Sequence, residues 1–120
     1  MLNIKIGTTV FEAEGAVEKE ELYNGSFRRV LTVTCLPDAI GIDALNAVLT
    51  EKNLASIVIA DTETGAANIY DGYVLKLACG IQNTLVQRET PTTPALYEDR
   101  LIFKVGMRTY IEEQLHKLGL

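Results

Sequence analysis

Residues 17–36, VEKEELYNGSFRRVLTVTCL, decide how this chain folds. The Asn24-Gly25 pair favours the positive φ angles of a type I′ turn, whose twist matches that of two flanking strands. A two-residue turn also sets two pairs of opposite charge across the ladder, Glu21 with Arg28 and Glu20 with Arg29. Turn chemistry and charge pattern therefore predict the same β-hairpin in the same register.

Alternation of apolar and polar residues predicts further strands on both sides of this hairpin. The first strand has Leu2, Ile4 and Ile6 on one face, and a turn at Gly7-Thr8 returns the chain beside it. Other predicted strands cover residues 54–61, 81–90 and 100–108. Residues 91–99, PTTPALYED, contain two prolines, which cannot donate to a ladder, so we expect a loop or an arm that crosses a sheet edge.

The stretch NIYDGYVLKLACG, residues 68–80, has two structural interpretations. Asp71-Gly72 has the same turn chemistry as the first hairpin, so a second hairpin would place Tyr70 opposite Tyr73. Alternatively, the strand continues and the glycine marks a bulge. A catalytic aspartate would need a second acid, a base or a metal ligand nearby, and the local sequence supplies none. Both interpretations make the stretch a corner or a kink in a sheet.

In residues 42–53, the apolar residues recur at the spacing of a helix. Their apolar face consists of Ile42, Leu45, Val48 and Leu49. Asp43 or Asp38 is expected to cap the start of this helix, and Asn53 suits its C-terminal turn.

The pattern of residues 109–118 predicts a second helix, at the C-terminus. Thr109 and Glu112 form a capping box, and Gly119 ends the helix. The apolar stripe consists of Ile111, Leu115 and Leu118. Such a short helix is marginal alone, so we expect the stripe to pack on its own sheet or on a neighbouring copy of the chain.

These elements predict one domain, residues 1–120, because 120 residues leave no room for two independent cores. The predicted fold class is α+β: mostly antiparallel β, a sandwich or partly open barrel built from hairpins, with one inserted helix and a short C-terminal helix. Apolar residues make up 48% of the chain, and the mean hydropathy is +0.13. This apolar content is high for a small domain, so some apolar surface is expected to contact a partner.

The net charge of −5, from 11 basic and 16 acidic residues, argues against nucleic-acid binding, which needs clustered Lys and Arg. No apolar run reaches the length of a membrane span, and the N-terminus lacks the apolar segment of a signal peptide. We therefore expect a chain that is neither secreted nor bound to a membrane. Cys35 and Cys79, which lack a CxxC partner, are expected to behave as small buried hydrophobes.

The sequence contains no catalytic motif. Its single histidine, His116, suits a capping role against the C-terminal helix dipole better than catalysis. A triad could use only Ser26 or Ser56, and neither lies in a nucleophile elbow. Five glutamates between residues 12 and 21 lie on strands with Arg opposite, which favours a solvated face over a cation site. We therefore assign no catalytic, cofactor-binding or metal-binding residue and expect a non-enzymatic protein without a cofactor.

Three functional classes fit this pattern. The first is a structural or assembly subunit that associates with itself or with partner subunits through sheet edges and the proline-containing loop. The second is a small-ligand or regulatory binding module with a pocket between sheet and helix. The third is a small enzyme with a site at a subunit interface, where Asp71, Arg88 or Tyr97 meets a neighbouring copy.

The order of elements resembles that of small bacteriophage or prophage virion proteins of the tail-tube, tail-completion and head–tail joining types. The resemblance covers most of the chain and consists of LYNGSFRRVLTVT, one helix inserted between strands, IYDGYVLKLACG, LVQRETPTTPALYEDRLIFKVG and a closing helix. It implies a β-sandwich or barrel flanked by a helix that forms rings through sheet edges and long hairpin loops. It also implies copies of itself or other virion subunits as partners, and a location in the virion or the bacterial host cytoplasm. Those proteins have no catalytic signature, so no functional residue is carried over.

Overall fold

Two four-stranded antiparallel sheets face each other in the computed structural model, which describes residues 1–119. The strands are β1 (Leu2–Ile6), β2 (Thr9–Ala13), β3 (Gly15–Tyr23), β4 (Ser26–Cys35), β5 (Ser56–Asp61), β6 (Ala67–Asp71), β7 (Leu75–Gln87) and β8 (Leu96–Gly106). The helices are α1 (Ile42–Val48), α2 (Glu51–Leu54) and α3 (Tyr110–Lys117). We call the sheet with order β2-β1-β5-β6 the short sheet and the sheet with order β3-β4-β8-β7 the long sheet. The predicted fold class is confirmed in its sandwich-like form.

The core lies between the two sheets and is closed at one side by the short helices. Alternate residues of the central strands point into it, because successive side chains of a strand face opposite sides. Phe11 of the short sheet meets Phe103 of the long sheet edge to face, with ring centroids 6.1 Å apart. The core consists of Ile4, Ile6, Phe11, Ala13, Leu31, Val33, Cys35, Leu45, Leu49, Leu54, Ile57, Ile59, Tyr73, Leu101, Phe103 and Val105.

The hairpin at Asn24-Gly25 has the predicted register. Both turn residues have positive φ, 51° and 79°. The Cα partners are Tyr23 with Ser26, Leu22 with Phe27, Glu21 with Arg28 and Glu20 with Arg29. The two pairs of opposite charge lie across the ladder as predicted, but each arginine forms its ion pair with another glutamate: Arg28 with Glu112, and Arg29 with Glu18.

Asp71-Gly72 forms neither of the two predicted structures. β6 ends at Asp71 in the short sheet, and β7 begins in the long sheet, so residues 72–74 connect the sheets. Gly72 has a φ of 84°, as its turn chemistry predicts. Tyr70 and Tyr73 still contact each other, with ring centroids 6.1 Å apart, because the crossover brings both rings to the core. The stretch is a corner between two sheets, and the hairpin and the bulge were both wrong.

The inserted helix is broken into α1 and α2. The side chain of Thr50 accepts a hydrogen bond from the backbone N–H of Asn53 and so begins a second helix where one was predicted to continue. Neither Asp38 nor Asp43 caps α1: its N-cap is Gly41, which provides no side-chain hydrogen bond. The two short helices contribute core residues and fill the space beside the sandwich.

The long sheet extends past the short sheet at both ends. In the middle of the long sheet, the pairing of β4 with β8 extends from Val30 with Gly106 at one end to Cys35 with Leu101 at the other. The β3–β4 turn lies beyond the first pair, whereas β7 and β8 continue beyond the second. The molecule is therefore elongated, with extents of 59 × 32 × 28 Å.

Candidate functional site

The arm is the part of the β7–β8 hairpin, residues 81–99, that extends past the core. None of its residues is buried, and only Thr84 is half-buried. The predicted proline-containing loop forms the arm tip, residues 88–95, and the following residues 96–99 belong to β8. Its exposed large apolar residues are Ile81, Leu85, Val86, Leu96 and Tyr97. The arm therefore presents a surface of the kind that mediates contacts between proteins.

The opposite end of the molecule, which we call the helix end, consists of the hairpin tip, residues 22–27, and α3. Leu22 and Phe27 pair across the hairpin and are 62% and 70% exposed. The exposed apolar residues of α3 and its C-cap are Tyr110, Ile111, Leu115 and Leu118. The capping box of α3 is confirmed, but its stripe does not pack on its own sheet, and none of its residues is buried. The alternative, a neighbouring copy, stays a prediction.

The charged side of α3 attaches the helix to the rest of the protein. Arg28, whose side chain is 1% exposed, donates from Nη1 to Oε1 of Glu112 at 2.6 Å and from Nη2 to Oε2 at 3.2 Å. Arg108 and His116 both contact Oε1 of Glu51, at 2.8 and 3.2 Å. The helix is therefore held by ion pairs, and its apolar side faces solvent.

Arg28 joins the hairpin tip to α3. Its guanidinium lies 5.4 Å from the ring centroid of Tyr23 and donates to the backbone carbonyl of Met107 at 3.2 Å. Hydrogen bonds from Arg28 and from the backbone of Thr109 lower the pKa of Glu112 to about 2. This arrangement fixes α3 and the hairpin tip as one surface.

Tyr73, Glu18 and Arg29 form a polar cluster at the edge of the core. The buried Tyr73 hydroxyl donates to Oε2 of Glu18, and the Arg29 guanidinium donates to Oε1. The two hydrogen bonds, first that of the tyrosine, lower the pKa of Glu18. Burial and the neighbouring carboxylate raise the pKa of Tyr73 to about 12. The cluster joins the crossover to β3 and keeps the phenol protonated, which suits a structural role.

A cavity of about 600 Å³ lies between the β1–β2 turn and the end of α2. Its polar lining consists of Lys5, Thr8, Thr9, Lys52, Asn53 and Ser56. No acidic residue lines it, and neither lysine forms an ion pair within residues 1–119. A Cβ at Gly7 would lie 2.8 Å from Oδ1 of Asn53, so the turn can approach the helix this closely only with glycine.

The residues proposed for an interface enzyme are not brought together within one chain. Asp71 pairs with Ser56 in the short sheet, whereas Tyr97 lies in the arm and Arg88 at its tip. Among residues 1–119, no group of three or more His, Cys, Asp or Glu side chains could hold a metal ion. None of the helices described is long and apolar enough to cross a membrane.

The two cysteines are free thiols. Cys35 is buried, as predicted, and Cys79 is half-buried. Burial, together with the nearby charge of Glu14, raises the pKa of Cys35 to about 11. Since the thiolate is the reactive form, Cys35 is a packing residue.

Comparison with known proteins identifies no matching family model, no matching curated protein and no matching solved structure.

Sequence reasoning missed the outward orientation of α3 and the basic cavity. The stripe on α3 is visible in the sequence, but its orientation depends on Arg28 and Glu112, which are 84 residues apart. The cavity brings Lys5 and Lys52 together from separate elements. No local sequence pattern indicates the orientation of α3 or the presence of the cavity.

Proposed function

We propose that the protein is a non-enzymatic structural subunit that assembles with copies of itself or with other virion subunits, as a phage or prophage tail-related protein. The observation that carries this proposal is the location of the exposed apolar residues, most of which lie at the two ends of a 59 Å molecule. Exposed apolar surface of this kind mediates association. The layout that resembles virion proteins, with a long hairpin and a flanking helix, supports the same proposal.

The edges of the long sheet supply a second set of contacts for assembly. β3 and β7 are its edge strands, 9 and 13 residues long. They run in opposite directions, so side-by-side copies in the same orientation would meet antiparallel, with β7 of one against β3 of the next. β3 carries three glutamates and one lysine, whereas β7 carries Lys76 and no acid. The charges of the two edges are therefore complementary.

Light scattering coupled to size-exclusion chromatography tests this proposal. We expect a mass that is a multiple of 13.2 kDa and increases with concentration, and negative-stain images that contain rings or chains of copies. A chain that stays monomeric at millimolar concentration would contradict self-assembly. Location in the virion or the bacterial host cytoplasm is part of the proposal, and neighbouring capsid or tail genes would support it.

The basic cavity favours a second candidate function, a small-ligand or regulatory binding module. Two lysines and three hydroxyl groups without an acidic neighbour would suit an oxyanion such as phosphate. Titration with inorganic phosphate, followed by amide NMR shifts, tests this candidate. We expect Lys5→Ala with Lys52→Ala to abolish shifts at the cavity, and Lys19→Ala, on the exposed β3 edge, to preserve them.

A further inference from the structure

The basic cavity lies where the β1–β2 turn, the end of α2 and the start of β5 meet. Asn53 holds the turn and the helix at a fixed separation. Its Nδ2 donates to the backbone carbonyl of Val48 at 3.0 Å, and its Oδ1 would lie 2.8 Å from a Cβ at Gly7. The volume of about 600 Å³ lies within the range of about 300–1,000 Å³ that is typical of small-molecule sites. The cavity therefore has room for an organic ligand, and not only for an inorganic ion.

The charge of the cavity favours an anionic ligand. Both strand neighbours of Lys5 in the short sheet are valines, so no carboxylate lies directly across from it. Glu51, the acid next to Lys52, forms its ion pair with Arg108. Asp71, on the neighbouring strand β6, does not line the cavity. Two ammonium groups without an acid in the lining suit a phosphate group, which lysine binds as a point charge.

The rest of the lining favours a hydroxylated body on this ligand. Thr8, Thr9 and Ser56 supply hydroxyl groups, which both donate and accept hydrogen bonds and so match the hydroxyls of a polyol. The other neutral residues include Ala55 and Val58, which are small and apolar. No aromatic residue is among those that line the cavity, so a flat aromatic body would find no ring on which to stack.

We propose that the basic cavity binds a phosphorylated polyol, such as a sugar phosphate. Lys5 and Lys52 hold the phosphate, and the hydroxyl side chains hold the polyol body. This inference rests on the second candidate function, the small-ligand binding module, and specifies its class of ligand. It is independent of self-assembly, because the cavity includes no residue of the arm, of α3 or of the edge strands β3 and β7.

Titrations with three probes test this assignment. The probes are inorganic phosphate, glucose 6-phosphate and phenyl phosphate, each followed by amide NMR shifts at the cavity. We expect glucose 6-phosphate to bind about tenfold more tightly than inorganic phosphate, because its body adds hydrogen bonds to those of the phosphate. Phenyl phosphate, whose body has no hydroxyl group, should bind no more tightly than inorganic phosphate.

Two double variants separate the contribution of the lysines from that of the hydroxyl groups. Lys5→Ala with Lys52→Ala should abolish the binding of all three probes. Thr8→Ala with Ser56→Ala should weaken the binding of glucose 6-phosphate about tenfold and that of inorganic phosphate much less. Lys19→Ala, on the exposed β3 edge, is the control and should bind each probe like the wild type. Circular dichroism first establishes that each variant folds, as expected for substitutions of exposed residues.

Two results would overturn the inference while leaving the binding module intact. One is glucose 6-phosphate that binds no more tightly than inorganic phosphate, which would make the ligand a bare oxyanion. The other is phenyl phosphate that binds as tightly as glucose 6-phosphate, which would show that the hydroxyl groups of the ligand contribute nothing. If no probe shifts the resonances of the cavity, or if binding persists without both lysines, the inference and the second candidate function are both wrong.

Discussion

Phe103 and Tyr97 lie on the same strand, on the same side of the same sheet, and have opposite environments. Phe103 is fully buried against Phe11, whereas Tyr97 is 57% exposed in the arm. Both are aromatic residues on the same face of β8, but Leu101 and Val105 flank Phe103 on that face, whereas Asp99 follows Tyr97. The difference is that the short sheet lies opposite one residue and not the other.

The length of the partner sheet decides whether a strand face becomes core or stays exposed. The strands of the short sheet have five or six residues, and β8 has eleven. Apolar residues beyond the shorter strands have no intramolecular partner, so they are available to another molecule. Four predictions test how sharply the two regions differ, beginning with the largest effect.

Of the four substitutions, Phe103→Ala should lower the free energy of unfolding most. Truncation of a buried phenylalanine costs about 3–5 kcal/mol, because apolar burial is lost and a cavity remains. Urea unfolding measures this change. Phe27→Ala is the matched control, since Phe27 is exposed at the hairpin tip, and its cost should stay below about 0.5 kcal/mol. Equal losses for the two variants would refute the distinction between core and ends.

Glu112→Gln should destabilise the attachment of α3 by about 1–2 kcal/mol, because it removes the charge that pairs with the buried Arg28. The loss stays this small because solvent partly screens the Glu112 side chain. The folded-state pKa of Glu112, about 2, lies below its ordinary value of 4.5. The contribution of the ion pair is therefore complete above pH 4.5 and is lost as the pH falls toward 2. Urea unfolding at pH 7 and pH 2.5 should show a much smaller difference between wild type and variant at the lower pH, where most of this contribution is lost.

Tyr73→Phe should lower the free energy of unfolding by about 1 kcal/mol, because the hydrogen bond to Glu18 is lost while the ring stays packed. Absorbance titration provides an independent measurement. One of the five tyrosines in the wild type should ionise only near pH 12, and this late step should be missing in the variant. A late step that persists in Tyr73→Phe would contradict the assignment.

Tyr97→Ser should have the smallest effect on the folded monomer, within about 0.5 kcal/mol. Its side chain is 57% exposed in the arm, where Tyr97 pairs across the hairpin with Leu85. Thermal unfolding of dilute protein measures this effect without contributions from association. A large loss of stability in the monomer would mean that the arm belongs to the cooperative unit of the core.

Local chemistry made the first hairpin predictable residue by residue. Asn24-Gly25 determines the turn, and the turn determines the register of both strands. Asp71-Gly72 has equally clear turn chemistry, but a glycine with positive φ serves a hairpin and a crossover between sheets equally well. The choice depends on which strands are available as neighbours, and that information is not local.

The candidate surfaces were predictable to a similar degree. The stripe of α3, from Ile111 to Leu118, and the proline-containing loop both stood out in the sequence. Their exposure did not, because it depends on distant partners: Arg28 holds the start of α3, and the short sheet ends before it reaches the arm.

A helix held by ion pairs responds to salt differently from a helix held by apolar packing. Mobile ions screen charges over about 8 Å at physiological ionic strength, and over less as salt rises. The contacts of Glu51 with Arg108 and His116 lie at the surface and weaken first, while the aromatic centre of the sandwich is strengthened by many salts. A rise in ionic strength would therefore loosen the C-terminal helix while the rest of the protein stays folded.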